Sequence, residues 1–222
     1  MLKLFFNILF FSTLIISNGN LVLLQSLENN EDWSLIDMRK DSIRVYEKKV
    51  EGMDLSALKV EKIIDFNPKL IFETIMDINN YPYIMENPDV TSFIIGQRDN
   101  MIYAYNHFPI PLPFIEDRHY IFKIKQVSDT QINWHLVDYM EVKSSPRLKS
   151  ITDKNSSAVY MDYGAGLWEI EILTESLSRA SYILYMDAGG SLTNNLNDLF
   201  ASQSIIDLYQ SILKESNKKA KK

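Results

Sequence analysis

The strongest constraint on this chain is its last long amphipathic stretch and the glycine pair that launches it. Asp187-Ala188-Gly189-Gly190-Ser191-Leu192 leads into a run ending at Leu213, in which Leu192, Leu196, Leu199, Phe200, Leu208, Tyr209, Ile212 and Leu213 fall largely at spacings of three and four. On a helix that spacing gathers them into one apolar stripe, which must be covered. From about Ser42 onward the preceding chain reads mostly as short strands rich in Tyr, Phe, Ile and Val, so the cover is one large curved antiparallel sheet. The expected class is α+β, a bent sheet gripping the last helix. Such a helix either seals a core or lids a cavity, and periodicity does not distinguish the two.

The chain in order supports this reading. Glu28–Met38, with Trp33 and Ile36 on one side, predicts a short helix, and Ser42–Val50 and Leu58–Phe66 alternate as a first pair of strands around Gly52 and Asp54. Asn67 and Pro68 open a helix that turns Ile71, Phe72, Ile75 and Met76 inward, and a second short helix follows at Tyr81–Met85. Asp89–Gln97, Met101–His107, Arg118–Val127 and Gln131–Tyr139 then read as a meander with tight polar turns. After a polar stretch, Lys143–Ser157, further strands are expected at Ala158–Asp162, Leu167–Leu173 and Arg179–Asp187. There is no internal repeat.

The two ends read differently. Met1-Leu2-Lys3, the apolar run Leu4–Ile16 and the small residues around Ser17-Asn18-Gly19 have the outline of an export signal peptide. A second apolar patch, Leu21–Leu24, could instead extend the run toward the roughly 20 residues of a retained membrane anchor. Residues 1–25 are therefore assigned to a leader or anchor, 28–214 to one folded domain, and 215–222, with its terminal lysines, to a basic tail. The expected location is a periplasm-like space or the exterior, or the membrane if the leader is kept.

At 222 residues, 46% of them hydrophobic, the chain suits one well-cored domain. A net charge of -6 argues against nucleic acid as a partner, because duplex binding depends on Lys and Arg displacing counterions. The absence of cysteine excludes disulfides, thiolate metal sites and Cys nucleophiles. No nucleophile elbow, phosphate loop, dinucleotide fingerprint or metalloprotease helix occurs, and His107, His119 and His135 lack metal-pair spacing, although His119 and His135 sit on neighbouring strands. No cofactor or metal is implied.

Arg118 is the most informative charged residue. Alternation puts it on the face of Tyr120, Phe122 and Ile124, and leaves His119, Ile121, Lys123 and Lys125 on a face taken to be wet. An arginine in an apolar row either snorkels to water or is a paired polar fixture inside a cavity. Just before it, Phe108-Pro109-Ile110-Pro111-Leu112-Pro113-Phe114 cannot join a central ladder and forms an apolar loop that covers core, touches a bilayer or gates a cavity.

Several of these pieces together resemble the START domain, the steroidogenic acute regulatory protein-related lipid transfer module. They are the order of elements, Asp32-Trp33, Asp77-Ile78-Asn79-Asn80-Tyr81, the Pro109-Ile110-Pro111-Leu112 loop leading to Arg118, Trp168-Glu169-Ile170-Glu171, and Asp187-Ala188-Gly189-Gly190-Ser191-Leu192. The resemblance covers about Asp32 to Leu213. It implies a helix-grip fold whose sheet wraps a hydrophobic tunnel for one lipid, gated by the last helix and a neighbouring loop. The chain departs from the family pattern at His119, where an acid is usual, and at Ala188, where proline is usual, which leaves a sterol, a phospholipid or another hydrophobic ligand open.

On that basis the lipid-facing candidates are Tyr103, Tyr105, Tyr120, Phe122, Trp134, Trp168, Leu196, Phe200 and Leu208, with Arg118 as the polar fixture. The gate candidates are Pro109, Ile110, Pro111, Leu112, Gly189 and Gly190. The function expected is non-enzymatic binding and transfer of a lipid, with transient membrane contact and a monomeric state. An enzyme acting on a hydrophobic ligand in the same cavity, or an interaction domain with a filled core, are the alternatives.

Overall fold

Ten short segments build a single sheet, antiparallel but for one short strand, and one helix packs on its inner face. The structure is a computed structural model that describes residues 19–110, 112–190 and 194–221, excepting the side chains of 194–202 and 204. In chain order the elements are α1 (Gly19–Leu27), β1 (Ser34–Met38), β2 (Arg44–Lys49), β3 (Ser56–Ile64), α2 (Lys69–Met76), α3 (Tyr81–Ile84), β4 (Thr91–Arg98) and β5 (Met101–Phe108). They continue with β6 (Arg118–Ser128), β7 (Gln131–Leu136), α4 (Tyr139–Ser144), α5 (Pro146–Thr152), β8 (Val159–Tyr160), β9 (Gly164–Ile172), β10 (Ser178–Met186) and α6 (Asn194–Ala220). The spatial order of the sheet is β1-β2-β3-β10-β9-β7-β6-β5-β4, with the short β8 added in parallel to β6.

The inner face carries the main core. Val60, Phe122, Ile124, Trp134, Leu136, Trp168 and Tyr182 meet Ile205, Ile206, Tyr209 and Ile212 of α6, with Ile71 and Ile75 of α2 alongside. The Tyr209 hydroxyl donates to the Ala180 carbonyl at 2.7 Å and pins the helix to β10. Asn67 and Pro68 lead into α2 as the sequence suggests, although Pro68 rather than Asn67 stands at the N-cap; the Asn67 Oδ1 accepts from the Lys69 amide at 3.1 Å.

The outer face is also covered, which the sequence reading did not anticipate. Leu23, Leu24 and Leu27 of α1 are buried against Ala57, Ala165, Leu167, Ile183 and Tyr185. Leu23 and Leu24 of the patch Leu21–Leu24 thus supply core residues, and packing reaches at least nine residues ahead of Glu28. Asn20 fastens this helix: its Nδ2 donates to the Leu136 and Asp162 carbonyls at 2.9 and 2.8 Å, and its Oδ1 accepts from the Gly164 amide at 2.9 Å.

Two segments expected otherwise need correction. Ser34–Met38 is an exposed edge strand, not a helix; its backbone pairs with β2, and pairing rather than burial holds it. The polar stretch after β7 forms α4 and α5, capped by Asp138 and Ser145, whose side chains accept from the Glu141 and Leu148 amides. These helices bury Val142 and Leu148 against Ile95, Tyr105 and Ile121, so the face of β6 taken to be wet is dry over half its length.

Candidate functional site

The seam between the sheet and α6 is the candidate site. Tyr120, Phe122 and Ile124 of β6, Trp134 of β7, Trp168 of β9 and Tyr182 of β10 line a cavity there, together with Leu208 and Ile212 of α6. Cross-strand register sets this lining: Trp168 faces Tyr182 directly, and their rings stack at 4.2 Å, with Tyr209 stacked on the same indole at 5.6 Å. Trp134 lies across Gly166, its direct partner on β9. A Cβ on Gly166 would stand 2.5 Å from the Ile183 carbonyl and 2.8 Å from the indole, so only glycine fits. The cavity measures about 40 Å³, space for a few waters and far below the few hundred Å³ of a typical ligand site.

Its polar equipment is sparse. Asn106 of β5 is buried and points inward, its Nδ2 donating to the Tyr120 hydroxyl at 3.2 Å while its Oδ1 accepts from Ser92 Oγ at 2.7 Å. Burial pushes the Tyr120 phenol up to about 12 and holds Tyr81 and Tyr182 above the ordinary value as well, so all three stay protonated donors at neutral pH. Among the described lining residues there is no carboxylate, histidine or lysine to act as base or nucleophile.

Arg118 has a different place from the one expected. It is buried, but its Nε donates to the Ala188 carbonyl at 2.7 Å and its Nη2 to the Gly189 carbonyl at 3.2 Å, with Nη1 on the Glu116 carbonyl. Its guanidinium therefore ties the strand end to the glycine turn that launches α6. Gly189 and Gly190 adopt φ of +60° and +73°, and a Cβ on Gly190 would come within 3.1 Å of Arg118 Nη2. The polar fixture inside the cavity is Asn106.

Tyr103 and Tyr105 face the opposite way. Period-two alternation turns Ala104 and Asn106 inward, and the two tyrosines pack outside under α4 and α5. There Asn155 Nδ2 donates to the Tyr105 hydroxyl at 2.6 Å, and that hydroxyl lies 3.0 Å from His119 Nδ1. His119 pairs across the ladder with His107, and Lys123 is the partner of His135, so the two neighbouring-strand histidines are out of register with each other. Burial depresses both His119 and His135 to about 4. Sequence reasoning chose the large tyrosines over Asn106 because it had no helices to cover the outer face; the parity with Tyr120 was the available signal.

The proline-rich loop spans residues 109–117 between β5 and β6. Asp117 closes its base, with Oδ1 accepting from the Ile110 amide at 3.0 Å and Oδ2 standing 3.3 Å from His107 Nε2. Pro109 and Ile110 are half-buried and Leu112 is exposed, while Pro111 lies outside the described residues, as do the side chains of Leu196 and Phe200. The loop and the glycine turn thus adjoin one end of the seam, where Arg118 joins them.

No protein-family model matches the chain, and neither does any curated protein. Solved structures do. A STAR-related lipid transfer protein from Xanthomonas axonopodis superposes with a TM-score of 0.66 at 18% identity, over 84% of this chain and 99% of that one. The fold is that of a START domain. Human STARD10 matches this START fold at a TM-score of 0.65 and 19% identity, over 91% of this chain and 81% of that one. Human StAR-related lipid transfer protein 5 matches at 0.64 and 16%, over 89% and 92%. The helix-grip architecture is therefore shared, and Tyr120, Phe122, Trp134, Trp168 and Leu208 lie on its inner face.

Proposed function

We propose that the protein binds a single hydrophobic lipid between the sheet and α6 and carries it between membranes without chemical change. The observation that carries this reading is the lining itself: an aromatic and aliphatic seam with one inward amide, Asn106, and no carboxylate, histidine or lysine among the described lining residues. The likeness of fold to lipid transfer proteins supports it.

The described cavity of about 40 Å³ is too small for a lipid, so a ligand is accommodated only if α6 moves. In the described part of α6, Tyr209 is tied to Ala180, Gln210 to Asp41 and Lys214 to Glu86. We assign the gate to α6, hinged at the Gly189–Gly190 turn and latched by Tyr209, with the proline-rich loop as its facing edge. Each lipid methylene taken from water contributes about 0.8 kcal/mol, which offsets the cost of parting the helix from the sheet. The polar end of the ligand meets Asn106 and Tyr120. We further assign the protein to an exported, monomeric state that meets membranes, transiently by its surface or lastingly where the N-terminal apolar run is kept.

Native mass spectrometry of protein expressed in a lipid-containing host tests this. A stoichiometric adduct extractable into organic solvent is expected, and Leu208→Asp abolishes it by placing a charge in the seam. A bare mass that persists after incubation with mixed lipid vesicles overturns the reading. It would favour a filled core, to which a cavity of about 40 Å³ also corresponds.

A further inference from the structure

The N-terminal run enters the fold at a defined place. Antiparallel pairing puts the start of β6, the end of β7, the start of β9 and the end of β10 at one end of the sheet, where the 109–117 loop and the glycine turn lie. Asn20, the second residue of α1, bonds to Leu136, Asp162 and Gly164 at this same end. A backbone path links it to the loop: the Val159 amide donates to the Asp117 carbonyl at 2.9 Å, and Asp162 follows three residues later, about 10 Å on. From there α1 descends the outer face, and Glu28 just beyond it reaches Gln131 and Asn133 at the start of β7.

What precedes α1 is the apolar run Leu4–Ile16, and what flanks its entry is apolar and exposed. Leu21, Val22 and Leu112 are exposed, and Phe114 is 100% exposed with φ +67°, a backbone conformation costly for a bulky residue. The basic tail lies elsewhere. The 27 residues of α6 extend about 40 Å away from the glycine turn, and Lys218 sits beside Tyr83 at the far end.

We propose that α1 is a rigid mount that holds the mouth of the seam, with Leu112 and Phe114, against the bilayer that takes up the N-terminal apolar run. The partner is a lipid bilayer, and the mount decides which face of the domain meets it. This rests on the carrier reading above. It makes Asn20 a positioning residue: its three hydrogen bonds and the burial of Leu23, Leu24 and Leu27 fix the direction in which the leader leaves the domain. Leu4–Ile16 is 13 residues long, ten of them apolar, and so shorter than the roughly 20 needed to span a bilayer.

The absence of cysteine makes single-site labelling clean. The full chain, leader included, is bound to phosphatidylcholine vesicles with brominated acyl chains. It carries an environment-sensitive fluorophore at F114C in the loop, at S176C in the β9–β10 turn of the opposite end, or at K221C in the tail. Quenching several-fold stronger at 114 than at 176 or 221 is expected, and N20A or L23D brings the three toward parity. Equal quenching at 114 and 176, strongest quenching at 221, or a 114 preference untouched by both variants overturns the proposal. Native mass spectra of the same samples separate the two ideas. An adduct with parity of quenching sinks the mount alone, whereas a missing adduct sinks the carrier reading and leaves the orientation measured.

Discussion

At the scale of single residues, close approach and burial decide more than chemical type. Gly166 is small because Trp134 and the Ile183 carbonyl occupy the place of its Cβ. Gly166→Ala should cost about 1–3 kcal/mol of stability in urea unfolding, the usual penalty of overpacking. Arg118→Ala leaves the Ala188 and Gly189 carbonyls without their donor, for a loss of about 1–3 kcal/mol and faster amide exchange around the glycine turn. His119 and His135, both held near 4 by burial, take up protons in the unfolded chain from about pH 6.5 downward but in the folded chain only near 4. Their contribution is thus intact above pH 6.5 and falls as pH drops through that window, by roughly 2 kcal/mol each at pH 5. Urea midpoints at pH 7.5 and 5 measure this, and His119→Gln should flatten the difference.

At the scale of elements, α6 is the moving part of the proposed cycle and Tyr209 its latch. Its hydroxyl on the Ala180 carbonyl is worth about 1 kcal/mol, so Tyr209→Phe should raise the open population roughly five-fold. Vesicle-to-vesicle transfer of a fluorescent lipid should quicken accordingly; an unchanged rate would show that this bond is not the latch. The glycine turn was legible as a backbone bend because two consecutive glycines before an amphipathic run leave few other roles. Helices α4 and α5 were not recognised, although Asp138 with Glu141 and Ser145 with Pro146 are recognisable caps. The stretch is polar on its exposed side, and its apolar residues Val142 and Leu148 are too few to show a period.

At the scale of the whole molecule, one sheet is shared by three apolar clusters, one inside and two outside. Unfolding should therefore be a single cooperative transition, with tryptophan fluorescence and far-ultraviolet dichroism coincident in urea and indifferent to reductant in a cysteine-free chain. Separate transitions would show that α1 or the α4–α5 pair comes away on its own. The same sheet sets the directional logic of the molecule: loop, glycine turn and the start of α1 meet at one end, and the basic tail lies at the other.

Local patterning carried the strands, the terminal helix, the inward row of β6 and the resemblance to START domains, because periods of two and near four are written residue by residue. The facing of β5 was beyond its reach. Tyr103 and Tyr105 alternate with Ala104 and Asn106, and which pair is inside depends on what covers each face, a property of α4, α5 and α6 rather than of β5 itself. Arg118 shows the same limit: its strand position was read correctly, but its partners are carbonyls about 70 residues away. Tertiary structure alone decided that Leu23 and Leu24 belong to the fold, since an apolar patch beside a leader looks alike whether it faces lipid or a sheet.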